Sequence, residues 1–114
     1  MKNTLTNPFM IKLNSIVRVL DILSLKFQNN VAIIKFRAQL PYLKNVRNLP
    51  KHDIIVNCII CGELTYDLVN YYELNDYLLI EGHLSVSTIN LTNKPCYDLN
   101  ITRLYPFLFT FEIS

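Results

Sequence analysis

Glycine occurs only twice in this 114-residue chain, at Gly62 and Gly82, and the two positions bracket one unit. From Asp53 the sequence reads DIIVNCIICGELTYDLVNYYELNDYLLIEGHLSV. An apolar, β-branched run ends at Gly62, where a strand must turn into a helix. Leu64, Leu68, Val69 and Tyr72 follow at helical spacing and predict one apolar stripe over 63–72. Asn75-Asp76 is a turn signal, and a second apolar run then passes through Gly82. Glycine inside a strand marks a bend or a close backbone approach. The unit is therefore strand, short helix, turn, strand.

The flanking segments read as strands added around it. Residues 9–27 alternate apolar and polar with lapses at Asn14-Ser15, which predicts one long strand with a bulge or bend. Gln28-Asn29-Asn30 is a turn. In 31–40, Ala32, Ile34, Phe36, Ala38 and Leu40 form the expected core face, leaving Ile33, Lys35, Arg37 and Gln39 outside. Residues 41–53 read as a long basic loop, and 54–61 as a central strand apolar on both faces. In 77–86, Leu78, Ile80, Gly82, Leu84 and Val86 point inward, opposite Leu79, Glu81, His83 and Ser85. A hairpin loop over 87–95 leads to a last strand built on Tyr97, Leu99 and Ile101, and 106–114 would add an edge strand or a partner contact.

This predicts an all-β domain with one short helix, spanning 1–114 as a single unit. Five strands with the helix between strands 3 and 4 is the order of the OB-fold, a Greek-key barrel that binds oligonucleotides on one face. The outward apolar residues Ile33, Ile55, Ile59 and Leu79 suit a protein–protein surface.

Charge is unevenly placed. Residues 1–52 hold nine Lys and Arg against Asp21 (9 − 1 = +8), and residues 53–114 hold Lys94 and Arg103 against eight acids (2 − 8 = −6). A basic half folded onto an acidic half creates a face that attracts a polyanion. Signals for chemistry are weak. Cys58 and Cys61 are three apart, so in a strand they face opposite ways and cannot share a metal ion. The cysteines read as buried free thiols in a reducing compartment. Glu81 and His83 share a face, but no nucleophile or phosphate-loop glycine pattern accompanies them, so neither an enzyme nor a cofactor is expected. No apolar run approaches the roughly 18 residues of a membrane span, and the first residues carry no signal or transit peptide pattern.

The central unit resembles the bacterial-type single-stranded-DNA-binding (SSB) proteins over about residues 9–105. The matching features are Gly62-Glu-Leu64-Thr, Tyr71, Asn75-Asp76 and Leu78-Leu-Ile80-Glu81-Gly82-His-Leu84, with Val31-Ala32-Ile-Ile34 and Arg37-Ala38 upstream. Within that family the chain is most similar to the short SSB-like proteins of algal plastid genomes. Thirteen Ile and thirteen Asn against two Ala fit such an A/T-rich genome. The resemblance implies single-stranded DNA or RNA as ligand, a role in DNA replication or repair, a plastid location and a homo-oligomer, dimer or tetramer. Lys35, Arg37, Lys44, Arg47 and Lys51 would hold phosphates and Tyr42 would stack a base. The family's other stacking positions fall on Ile55, Cys61 and Ile89, which have no π-face. An alternative is an OB-fold interaction or assembly subunit that has lost most nucleic-acid binding.

Overall fold

In a computed structural model of the chain, residues 9–40, 54–89 and 94–105 are described. They form β1 (Phe9–Val19), β2 (Lys26–Gln28), β3 (Val31–Leu40), β4 (Ile54–Cys61), α1 (Leu64–Tyr71), β5 (Tyr77–Ile89) and β6 (Lys94–Tyr105). The sheet runs β1-β5-β6-β4-β3-β2, and a further β1–β3 pairing closes it into a barrel. All neighbours are antiparallel except β4 and β6. With β1 and β2 counted as one interrupted strand, this is the five-stranded OB barrel, and the helix joins its third and fourth strands.

The interruption is where the structure departs from the sequence reading. β1 pairs with β5 without a lapse from Phe9 to Arg18, through Asn14 and Ser15, so no bulge lies there. The strand ends instead because its last backbone groups are shared out. The Val19 N–H donates to the Asp76 carbonyl and the Asn75 N–H donates to Val19, while the Leu20 N–H turns to the Arg37 carbonyl on β3. β2 then resumes pairing with β3 through a two-residue turn at Asn29-Asn30. Both residues have positive φ (53° and 67°), as a type I′ hairpin turn requires.

The alternation in β3 is realised in full. Ala32, Ile34, Phe36, Ala38 and Leu40 are buried, facing Val56, Cys58 and Ile60 of β4, Leu78, Ile80 and Leu84 of β5, and Leu99 and Ile101 of β6. Burying one such Leu, Ile or Val side chain contributes about 1.5–3 kcal/mol. Helix α1 packs on this core through Leu68, with Thr65 also fully buried. Val69 turns outward, so the predicted stripe is narrower: Leu64, Leu68 and Tyr72 pack on the core, with Thr65 beside them.

Both glycines are required by geometry. Gly62 has φ +80° at the corner between β4 and α1. There its carbonyl accepts the Thr65 hydroxyl at 2.6 Å. Gly82 sits at a bulge in the β5–β6 ladder, where a Cβ would lie 2.4 Å from the Asn100 carbonyl oxygen. Ile89 and Lys94 are paired, so both hairpin strands extend further into 87–95 than expected. The edge strand expected in 106–114 lies outside the described residues.

Candidate nucleic-acid interface

The outer face of the barrel is a register-defined array. Lys12, His83, Asn100, Ile59 and Lys35 line up in one row across β1, β5, β6, β4 and β3. Met10, Ser85, Asp98, Asn57 and Arg37 form the next row. A third, shorter row continues from Cys61 and Ile33 onto Lys26 of β2. Side chains on one sheet face share a side because the strand period is two, so this array is one surface.

A shallow groove runs across it. At the β2 edge a hollow of about 530 Å³ is lined by Ile22, Lys26, Phe27, Ile33 and Lys35. It shares Asp21 and Lys35 with a central hollow of about 500 Å³ that also touches Arg37, Asn57 and Asp98. That in turn shares Ile59 and Asp98 with a third hollow of about 250 Å³ reaching Met10 and His83. Three hollows with common walls make a track from β2 to β1.

The residues singled out in the sequence fare differently here. Lys35 is exposed on the wall between two hollows. Arg37 lies in the same groove, but Asp21 holds it. The guanidinium donates to the carboxylate at 2.9 Å and the Arg37 backbone N–H donates at 2.7 Å. These hydrogen bonds hold the Asp21 carboxyl below its ordinary range. Tyr42, Lys44, Arg47 and Lys51 lie outside the described residues. Among the described residues, ion pairs occupy Arg37 and Lys12, and neither Lys26 nor Lys35.

Glu81 has a fastening role. Its carboxylate accepts the Tyr105 hydroxyl at 2.8 Å and faces the Lys12 ammonium at 3.4 Å, tying β5 to β6 and β1. The Tyr105 bond first, and then Lys12, lower its pKa. The sequence reading missed Lys26 and Phe27. The available signal was an aromatic beside a lysine just ahead of the Gln28-Asn29-Asn30 turn. Of the residues it assigned to an outward apolar surface, Ile55 is exposed and Ile33, Ile59 and Leu79 are half-buried. The cysteines also diverge. Cys58 is buried, as expected, but Cys61 is exposed and Cys96 half-buried. Cys61 follows the outward side of β4, opposite Cys58, so the two thiols do face opposite ways.

The same barrel occurs in solved structures. The SSB domain of a Synechococcus protein aligns with 92% of this chain and 100% of its own, at a TM-score of 0.58 and 19% identity. A small single-stranded-DNA-binding protein from Streptomyces coelicolor aligns with 90% of this chain and 96% of its own, at 0.64 and 16% identity. The chain has the fold of SSB domains. In sequence, the chain is 32% identical over 71 residues to ycf41 of Trieres chinensis, a protein named for single-stranded-DNA binding. That match spans 58% of this chain and 63% of the ycf41 protein, less than two thirds of its length. No protein-family profile matches.

Proposed function

We propose that the chain binds single-stranded DNA along the outer groove, as a non-catalytic SSB-like protein serving DNA replication or repair. The observation that carries this reading is the groove itself. It crosses the barrel's open strand face, and Lys35 stands exposed where two of its hollows meet. The likeness to proteins named for single-stranded-DNA binding supports it.

Lys26 and Lys35 hold phosphates in this reading. Lys44, Arg47 and Lys51 add positive charge and Tyr42 a stacking face. Such a site binds without strong sequence preference and loses affinity steeply with salt. One OB barrel covers about 4–16 nucleotides. Plastid residence is part of the proposal, supported by the Ile- and Asn-rich, Ala-poor composition and by the likeness to ycf41. Assembly as a homo-oligomer is likewise proposed, with exposed Ile55, which lines none of the three hollows, as apolar surface available for it. Among the described residues no helix is long and apolar enough to cross a membrane.

The test is a fluorescence-anisotropy titration with labelled oligo-dT at low and moderate salt, repeated for Lys35→Glu. Salt-sensitive binding that the substitution abolishes is the expected result. Binding that Lys35→Glu leaves unchanged would move the site off this face. An excess of oligo-U as competitor separates DNA from RNA preference.

A further inference from the structure

The family-like stacking positions hold Ile55, Cys61 and Ile89, none of which offers a π-face. Yet the described surface does display aromatics. Phe27, Tyr66, Tyr71 and Tyr77 are all exposed, at 63%, 45%, 75% and 51%. Their electrostatic settings differ. Tyr66 and Tyr71 are on α1, within a stretch from His52 to Asn93 that contains six acids and not one Lys or Arg, a setting that disfavours a polyanion. Tyr77 opens β5 opposite Arg18 and lines none of the three hollows of the groove. Phe27 is next to Lys26 in β2 and pairs with Ala32, so it leaves the strand on the opposite face from Lys26, but it is exposed at the sheet edge and lines the same hollow as Lys26 and Lys35.

We propose that Phe27 is a base-stacking platform at the β2 end of the groove. The proposal rests on the single-strand-binding reading above. An exposed aromatic face accepts any base by stacking, and flanking cations hold the phosphates on either side. Phe27 meets both conditions, because the hollow it lines contains two lysines. β2 is only three residues long and pairs on one side with β3. Among the described residues no strand pairs with its other side, which leaves the ring a route to a base from the sheet edge. The type I′ turn at Asn29-Asn30 fixes the position of Phe27 two residues earlier. A strand entering at Phe27 meets Lys35 next, on the wall shared with the central hollow.

The chain contains no Trp, so Phe27→Trp introduces a single reporter at the site. Its emission is expected to be quenched on addition of oligo-dT, saturating at the same concentration as anisotropy of labelled oligo-dT. Phe27→Ala and Phe27→Leu are expected to weaken binding by about 5- to 100-fold. Leu keeps apolar bulk without a π-face, so equal losses in the two variants assign the effect to stacking. If both variants bind like the parent while Lys35→Glu abolishes binding, Phe27 is not a platform, although the groove still binds DNA. If the parent shows no binding at low salt, the single-strand reading fails and this proposal falls with it.

Discussion

The Asp21 carboxylate binds Arg37 twice over, at its backbone N–H and at its guanidinium, with contacts of 2.7 and 2.9 Å. The first bond replaces a ladder partner, because β1 has left β3 at this point and a side-chain oxygen takes the N–H that a strand carbonyl would have accepted. The second removes a cation from the groove. Asp21→Asn is therefore expected to do two things. Oligo-dT binding should tighten, and its log–log salt slope should steepen by about 0.7, the increment for one more neutralised phosphate on a single strand. An unchanged slope would show that Arg37 stays unavailable without its acid.

The same contact makes stability pH-dependent. Asp21 has its pKa lowered in the folded state from an ordinary value of 3.8, first by the Arg37 side-chain hydrogen bond. A lowered carboxyl stabilises the fold above the unfolded-state value, and that contribution is lost as pH falls through the folded-state value. Denaturation midpoints of the parent and Asp21→Asn should differ at neutral pH and converge in acid below 3.8. A gap that persists in acid would assign the loss to packing instead.

Asp98 stands exposed in the middle of the groove, on the wall between its second and third hollows. A carboxylate there opposes a polyanion. Asp98→Asn should tighten oligo-dT binding by about 2- to 5-fold at low salt, the scale of one unit charge a few ångströms from a phosphate in a water-like medium. The gain should shrink at high salt. No gain would place the strand's path away from the centre of the face.

Gly82→Ala should destabilise the barrel. The new methyl group would meet the Asn100 carbonyl, a backbone atom that cannot rotate away. Overpacking of this kind costs about 1–3 kcal/mol, to be read as a lower urea midpoint with an unchanged m-value. Parent-like stability would mean that the β5–β6 bulge absorbs the shift.

Thiol reactivity should follow exposure. Under native conditions an aromatic disulfide reagent should label Cys61 fastest and Cys96 more slowly. Burial pushes the Cys58 thiol up to about 12, so it should react only after unfolding. Rapid native labelling of Cys58 would reveal that the β3–β4 pair opens locally.

The parts of the fold legible in the sequence are those set by local rules. The two-residue period of β3, the corner at Gly62 and the paired asparagines of the turn each carry their own signal. The break after Val19 does not. Apolar residues continue through Leu20, Ile22, Leu23 and Leu25, and what ends the strand is a set of bonds to Asp76, Asn75 and Arg37, far away in sequence. Val69 fits a helical stripe, but the barrel surface beneath α1 is narrower than the stripe. The site was half legible. Lys35 followed from alternation and the groove contains it, whereas the Asp21 grip on Arg37 depends on the same unforeseen break. Phe27 was hidden because it ends a strand that reads as continuous.

The pairing of β1 with β5 has a consequence for synthesis. Phe9 must find Val86, with nearly the whole barrel between them. At about 5–20 residues per second of translation, the partner of the first strand is not made until about 4–15 s later. Throughout that interval the exposed Met10 and its neighbours present an unpaired strand edge, open to other nascent chains. Barrel closure is thus a late and non-local event, and slow folding is the kinetic signature of this topology.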